Sequence, residues 1–130
     1  MEDSPGLPSV PARLQLNTCT VDVETTPSYV VVSVVGELDM ADADHVAQVL
    51  VDAANAGRPI LRLQLSALTF ADSSAIKAII LGARAADQRG VTYELVNPHG
   101  RVQRLLQVTG LHKALTILHE PDYVEGPNSL

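Results

Sequence analysis

The alternation of strand-like and helix-like patterning predicts an α/β fold: one domain in the order β-β-α-β-α-β-α-β, with helices packed on a mostly parallel, mixed sheet of four to five strands. Three observations carry this expectation. Residues 29–35 are a β-branched run ending at Gly36, and residues 60–65 alternate between polar and apolar types. Between and after them, apolar residues return at helical spacing. The chain has 130 residues, 46% of them hydrophobic, which is enough for a single packed core.

Taken in order, Leu14, Leu16, Val21 and Val23 keep a period of two and predict a first strand. It is joined to the 29–35 strand as a hairpin through Thr25, Thr26, Pro27 and Ser28. Val46, Val49, Leu50, Ala53 and Ala54 mark a first helix, opened by the acidic stretch 39–44 and closed by Gly57 with Pro59 beyond. The third strand spans 60–65. From Asp72, the residues Ile76, Ile79, Ile80 and Ala83 define one face of a second helix that ends near Arg89 and Gly90. Residues 91–96 make a fourth strand. Val102, Leu105 and Leu106 give a third helix stopping at Gly110, and 115–118 is a short edge strand. Strands joined through single helices run parallel with right-handed crossovers.

The ends are read apart from this domain. Residues 1–12 carry Pro5, Pro8 and Pro11 and are expected to be a flexible leader, 13–120 the domain, and 121–130 a loose tail. The start lacks a basic segment and an apolar segment, so no signal peptide is expected, and no run reaches bilayer-spanning length. Cys19 is the one cysteine, which excludes an intrachain disulfide and suits a reducing cytoplasm.

Composition narrows the partners. Aromatic residues are 3% of the chain, Trp is absent and the formal charge is −6, so neither a stacking platform nor a basic patch for nucleic acid is in view. An acidic surface suits a basic or mixed protein partner. His45, His99, His112 and His119 are scattered without metal-ligand spacing, and no glycine-rich phosphate loop is present, so no metal and no other cofactor is expected. The Ser74–Lys77 pair fits the S-x-x-K pattern of penicillin-recognising enzymes, but their S-D-N and K-T-G partners are missing and no enzyme is expected.

In parallel sheets, the carboxyl ends of strands and the helix starts after them collect on one edge, where binding sites lie. Two loops meet that description. One is Gly36-Glu37-Leu38-Asp39; the other is Ala71-Asp72-Ser73-Ser74, in which Asp72 is a good N-cap and Ser73 lies in a first turn that welcomes an anion. If their strands are neighbours, Asp39 and Ser73 face each other across one rim. Glu37, Asp39, Asp42 and Asp44 add an acidic cluster open to basic residues of a partner, and Lys77, four residues after Ser73, is placed to pair with a phosphate there. The stretch 68–75 looks like a strand, a tight turn and a helix start; taken alone, it also reads as an ordinary capped helix start whose serines fill the first turn.

The motifs Val34-Val35-Gly36-Glu37-Leu38-Asp39, Leu68-Thr69-Phe70-Ala71-Asp72-Ser73-Ser74-Ala75, Val96-Asn97-Pro98 and Val108-Thr109-Gly110-Leu111, in this order and spacing, resemble the STAS domains shared by sulfate transporters and bacterial anti-sigma factor antagonists. The resemblance spans residues 14–118. It implies that Ser73, the first serine after the Asp, is phosphorylated by an anti-sigma factor that is also a serine/threonine protein kinase, and that Asp39 is the acidic residue beside the phosphorylation site. It further implies an antagonist that holds the kinase while Ser73 is unmodified, freeing a sigma factor, and is reset by a phosphatase acting on phosphorylated Ser73. The partner-contact set is then Glu37, Asp39, Asp72, Ser73, Ser74, Ala75 and Lys77. Two positions depart from the family pattern: Ala75 stands where Gly is usual, and Ala71 where a bulkier apolar residue is commoner. The rival expectation is a constitutive STAS adaptor, a subunit of a stress-sensing or lipid-transport assembly in which Ser73 is never modified; a small-ligand module is a weaker third.

Overall fold

A computed structural model describes residues 12–120 as a seven-stranded mixed sheet with four helices. The strands are β1 (Ala12–Gln15), β2 (Cys19–Thr25), β3 (Tyr29–Leu38), β4 (Ile60–Gln64), β5 (Leu68–Ala71), β6 (Thr92–Val96) and β7 (Thr116–Leu118). The helices are α1 (Ala43–Ala54), α2 (Ser73–Arg89), α3 (Gly100–Val108) and α4 (Leu111–Ala114). The expected leader and tail lie outside the described residues, apart from Ala12, which opens β1.

The sheet order is β1-β2-β3-β4-β6-β7, with β5 beside β3. β1 with β2 and β2 with β3 are antiparallel hairpins; β3 with β4, β4 with β6, and β6 with β7 are parallel, as expected for strands separated by helices. Even-numbered positions Val30, Val32 and Val34 of β3 share one core cluster with Leu61 and Leu63 of β4 and Leu95 of β6. Val46 and Leu50 of α1, Ile76 and Ile79 of α2, and Val102 and Leu106 of α3 complete it. Each such side chain contributes roughly 1.5–3 kcal/mol by leaving water. At the alternate positions of the same strands, Arg62 donates to Glu94 at 2.8 Å and lies over the Tyr29 ring at 5.6 Å.

Seven strands replace the expected four to five for two local reasons. The period of two across 14–23 hides a turn: Leu16, Asn17 and Thr18 reverse the chain, the Leu16 N–H donating to the Cys19 carbonyl at 2.9 Å, and the stretch becomes two strands. The second reason is Gly36, where the 29–35 strand was expected to end. Its φ of +108° suits glycine, and a Cβ there would lie 2.8 Å from the Thr18 carbonyl oxygen. The register of the parallel pairing shifts at this residue, and β3 continues to Leu38 with a new neighbour, β5. Residues 68–71, strand-like in sequence but not counted in the expected order, are therefore a separate strand beside β3. The one-turn α4 after Gly110 is also additional, whereas α2 begins after Asp72 and stops at Gly90, with φ +68°, as the sequence indicates.

Candidate functional site

The rim is built where β3 and β5 end side by side. Leu38 and Ala71 are paired in register, and the Asp72 N–H donates to the Leu38 carbonyl at 3.3 Å. The loop that carries Asp39 and the helix start that carries Ser73 thus leave adjacent parallel strands. The neighbour supplying Ser73 is β5, not the third strand of the sequence reading.

Asp72 caps α2. One oxygen of its carboxylate accepts from the N–H groups of Ser74 at 2.9 Å and Ala75 at 3.2 Å, which satisfies two of the free donors of the first turn. Ser73, the first residue of α2, is exposed, and Lys77 one turn later is exposed as well. Ser74 and Asp72 are half-buried. Ala75 is fully buried in the core cluster, so its methyl group packs inward and is not on offer to a partner. The departure from Gly at this position is absorbed by the core, and Ala71 likewise packs against that core.

Across the rim, Glu37 is exposed and Asp39 half-buried. The Asp39 carboxylate accepts from the Ala41 N–H at 3.0 Å, and its carbonyl accepts from the N–H groups of Asp42 and Ala43 at 3.1 and 3.0 Å, making a tight turn into α1. Met40 stands at the tip of this turn with 79% of its surface exposed.

Asp42 does not belong with the acidic cluster. It is fully buried, and its two oxygens accept five hydrogen bonds from the β1–β2 turn. The Asn17 N–H and side-chain amide lie at 3.0 and 2.8 Å, the Thr18 N–H and hydroxyl at 2.7 and 3.0 Å, and the Cys19 N–H at 3.1 Å. Burial pushes the carboxyl pKa up, but the hydrogen bonds from Thr18 and Asn17 outweigh it and hold the group well below the usual carboxylate range. Of the expected acidic cluster, Glu37 and Asp44 are exposed and Asp39 half-buried, and Asp42 alone is withdrawn from the surface. The same carboxylate affects Cys19, whose buried thiol is pushed up to about 12, by burial first and by Asp42 second.

Thr18 and Met40 were not singled out by sequence patterning. The signals were Asn17-Thr18, a turn-forming pair inside an alternating run, and a methionine within an acidic stretch, off the helical period of Val46, Val49 and Leu50. Two clefts lie elsewhere. One of about 360 Å³ is lined by Arg58, Arg89 and the loop glycines Gly57 and Gly90; the other, about 210 Å³, is lined by His112, His119 and Leu106. Neither includes a rim residue. All four histidines are exposed, and among the described residues no three His, Cys, Asp or Glu side chains are grouped to hold a metal ion. No described helix is long and apolar enough to cross a membrane.

The rim thus joins an exposed serine at a capped helix start to an acidic loop on the same edge of an α/β domain. The model of the STAS domain matches residues 20–121, and the chain belongs to that family. No curated protein sequence matches it. Among solved structures, it is similar to an anti-sigma factor antagonist from Mycobacterium paratuberculosis, at 25% identity and a TM-score of 0.72, over 85% of this chain and 93% of that one. It is also similar to the anti-sigma factor antagonist SpoIIAA of Bacillus in its unphosphorylated form, at 20% identity and a TM-score of 0.67, over 85% and 97% of the two chains. A sulfate transporter family protein from Wolinella succinogenes shares the fold at 19% identity and a TM-score of 0.62, over 71% of this chain and 77% of that one.

Proposed function

We propose that this protein is an anti-sigma factor antagonist that binds an anti-sigma factor serine kinase while Ser73 is unmodified and is released when Ser73 is phosphorylated. The observation that carries the reading is the division of labour at the head of α2. Asp72 occupies the first-turn amides of Ser74 and Ala75, so the neighbouring Ser73 is exposed and not the residue that caps the helix. The antagonists of known structure that share this fold support the same reading. In it, the chain catalyses nothing; it is the substrate of the kinase and of a phosphatase that resets it, and the kinase it holds leaves a sigma factor free.

Phosphorylation adds about −1.5 to −2 charges at neutral pH. The helix dipole accommodates such charge, worth roughly 0.3–1 kcal/mol, so the domain stays folded. A partner packed over the rim meets the new charge beside Glu37 and Asp39, and like charges brought together at an interface cost several kcal/mol. The modification therefore acts on the complex and spares the fold. Calorimetric binding of wild type, Ser73→Ala and Ser73→Asp to the kinase tests this, with thermal melts as control. Ser73→Ala binds like wild type and takes no label from ATP, whereas Ser73→Asp, with one charge in place of two, binds about tenfold to a hundredfold more weakly. Equal binding by all three folded proteins, or label confined to Ser74, sinks the reading.

The likeness to a sulfate transporter family protein favours the second reading, a constitutive STAS adaptor in a stress-sensing or lipid-transport assembly. Under it, the three proteins bind their partner alike and Ser73 carries no phosphate.

A further inference from the structure

The β1–β2 turn stands on the same edge as the rim and is tied to it through one hydroxyl. Thr18 is exposed, yet its Oγ1 lies 3.0 Å from the Glu37 carbonyl oxygen, 3.0 Å from Asp42 Oδ2 and 3.4 Å from Asp39 Oδ1. A hydroxyl has a single proton to donate, so it is shared among three acceptors at the end of β3 and in the loop leading into α1. The backbone repeats the tie: the Glu37 N–H donates to the Thr18 carbonyl at 3.1 Å. Beneath it, Asp42 grips the N–H groups of Asn17, Thr18 and Cys19 from a fully buried position. The turn and the loop are therefore bonded to each other, and Asp39 Oδ1, which accepts from the Ala41 N–H at 3.0 Å, also lies within 3.4 Å of the Thr18 hydroxyl.

We infer that Thr18 is a positioning residue for Asp39 and that the β1–β2 turn is a third wall of the partner-binding rim, beside the Asp39 loop and the head of α2. Nothing in the linear motifs points to it, because Thr18 precedes Asp39 by 21 residues on an antiparallel hairpin. The inference rests on the antagonist reading for its consequence, but not for its geometry. A partner seated on Ser73 and Asp39 meets a carboxylate already fixed in direction, so less order is lost on binding. Removing the hydroxyl while keeping the shape frees the carboxylate to sample other rotamers, and this weakens the partner without adding or removing charge.

Thr18→Val and Thr18→Ser separate these effects. In the free protein, NMR couplings of Asp39 report its side-chain rotamer populations, and thermal melts report the fold. Wild type and Thr18→Ser keep one dominant Asp39 rotamer; Thr18→Val, still folded, shows averaging. With the kinase that labels Ser73 in the preceding test, Thr18→Val raises the KM for the antagonist about twofold to tenfold at nearly unchanged kcat, the effect of losing one long, shared hydrogen bond, and Thr18→Ser restores it. An unchanged Asp39 rotamer in Thr18→Val overturns the positioning role. Averaged rotamers with unchanged KM overturn the third wall. If wild-type Ser73 takes no label at all, the antagonist reading fails, while the rotamer comparison still decides whether Thr18 positions Asp39.

Discussion

Replacing Asp42 by Asn changes one oxygen into an amide nitrogen at the most heavily hydrogen-bonded side chain of the rim. The carboxylate now accepts five bonds, two on one oxygen from Asn17 and three on the other from Thr18 and Cys19. Asparagine keeps one acceptor oxygen, which serves the Asn17 pair. Its NH₂ then faces the N–H groups of Thr18 and Cys19 and the Thr18 hydroxyl; the hydroxyl can turn to accept, but the two N–H groups cannot. Leaving a buried donor unpaired costs about 1–3 kcal/mol, so two of them cost about 2–6 kcal/mol, a large share of the 5–15 kcal/mol typical of a domain. Urea unfolding followed by circular dichroism measures this as a lower midpoint at an unchanged slope. The pH dependence is a second readout. Because the carboxyl is held below its ordinary range, its contribution is fully present above the unfolded pKa near 4 and is lost as pH falls through the folded value. The wild-type advantage over Asp42→Asn therefore shrinks toward strongly acid pH. A loss under about 1 kcal/mol at neutral pH, or a difference independent of pH down to the acid limb, refutes the argument that these bonds pin the turn.

Beyond the Ser73 and Thr18 series, two further outcomes are expected. Gly82→Ala places a methyl group 2.9 Å from the Tyr93 hydroxyl and 3.1 Å from the Leu50 Cβ, where α1 and α2 pack; overpacking of about 1–3 kcal/mol exceeds the helix gain of nearly 1 kcal/mol, so the thermal midpoint falls, and a rise contradicts this. Cys19, buried and with its thiol pushed up to about 12, is inert to a thiol-titrating reagent at pH 8 in the folded protein and reacts at once in urea; rapid native reaction counts against its packing.

Much of the fold follows from local chemistry that a linear reading can see. Asp72 and Gly90 bound α2 because a carboxylate cap and a left-handed glycine act within one turn of chain. The helical spacing of Ile76 and Ile79 and the β-branched run before Gly36 decided the class, since period 3.6 and period 2 bury different sets of residues. The exposed Ser73 beside its cap was legible for the same reason. Tertiary structure decided what adjacency along the chain does not determine. Whether 14–23 is one strand or two depends on Asp42, more than 20 residues away, whose buried carboxylate offers the acceptors that make the 16–18 turn favourable. Whether Gly36 ends β3 or bends it depends on β5 being there to pair with Glu37 and Leu38. The acidic run 37–44 shows a row of equivalent charges in sequence, yet the fold buries Asp42, leaves Glu37 and Asp44 to solvent and turns Asp39 toward Thr18, because burial and hydrogen-bond partners are properties of the packed chain.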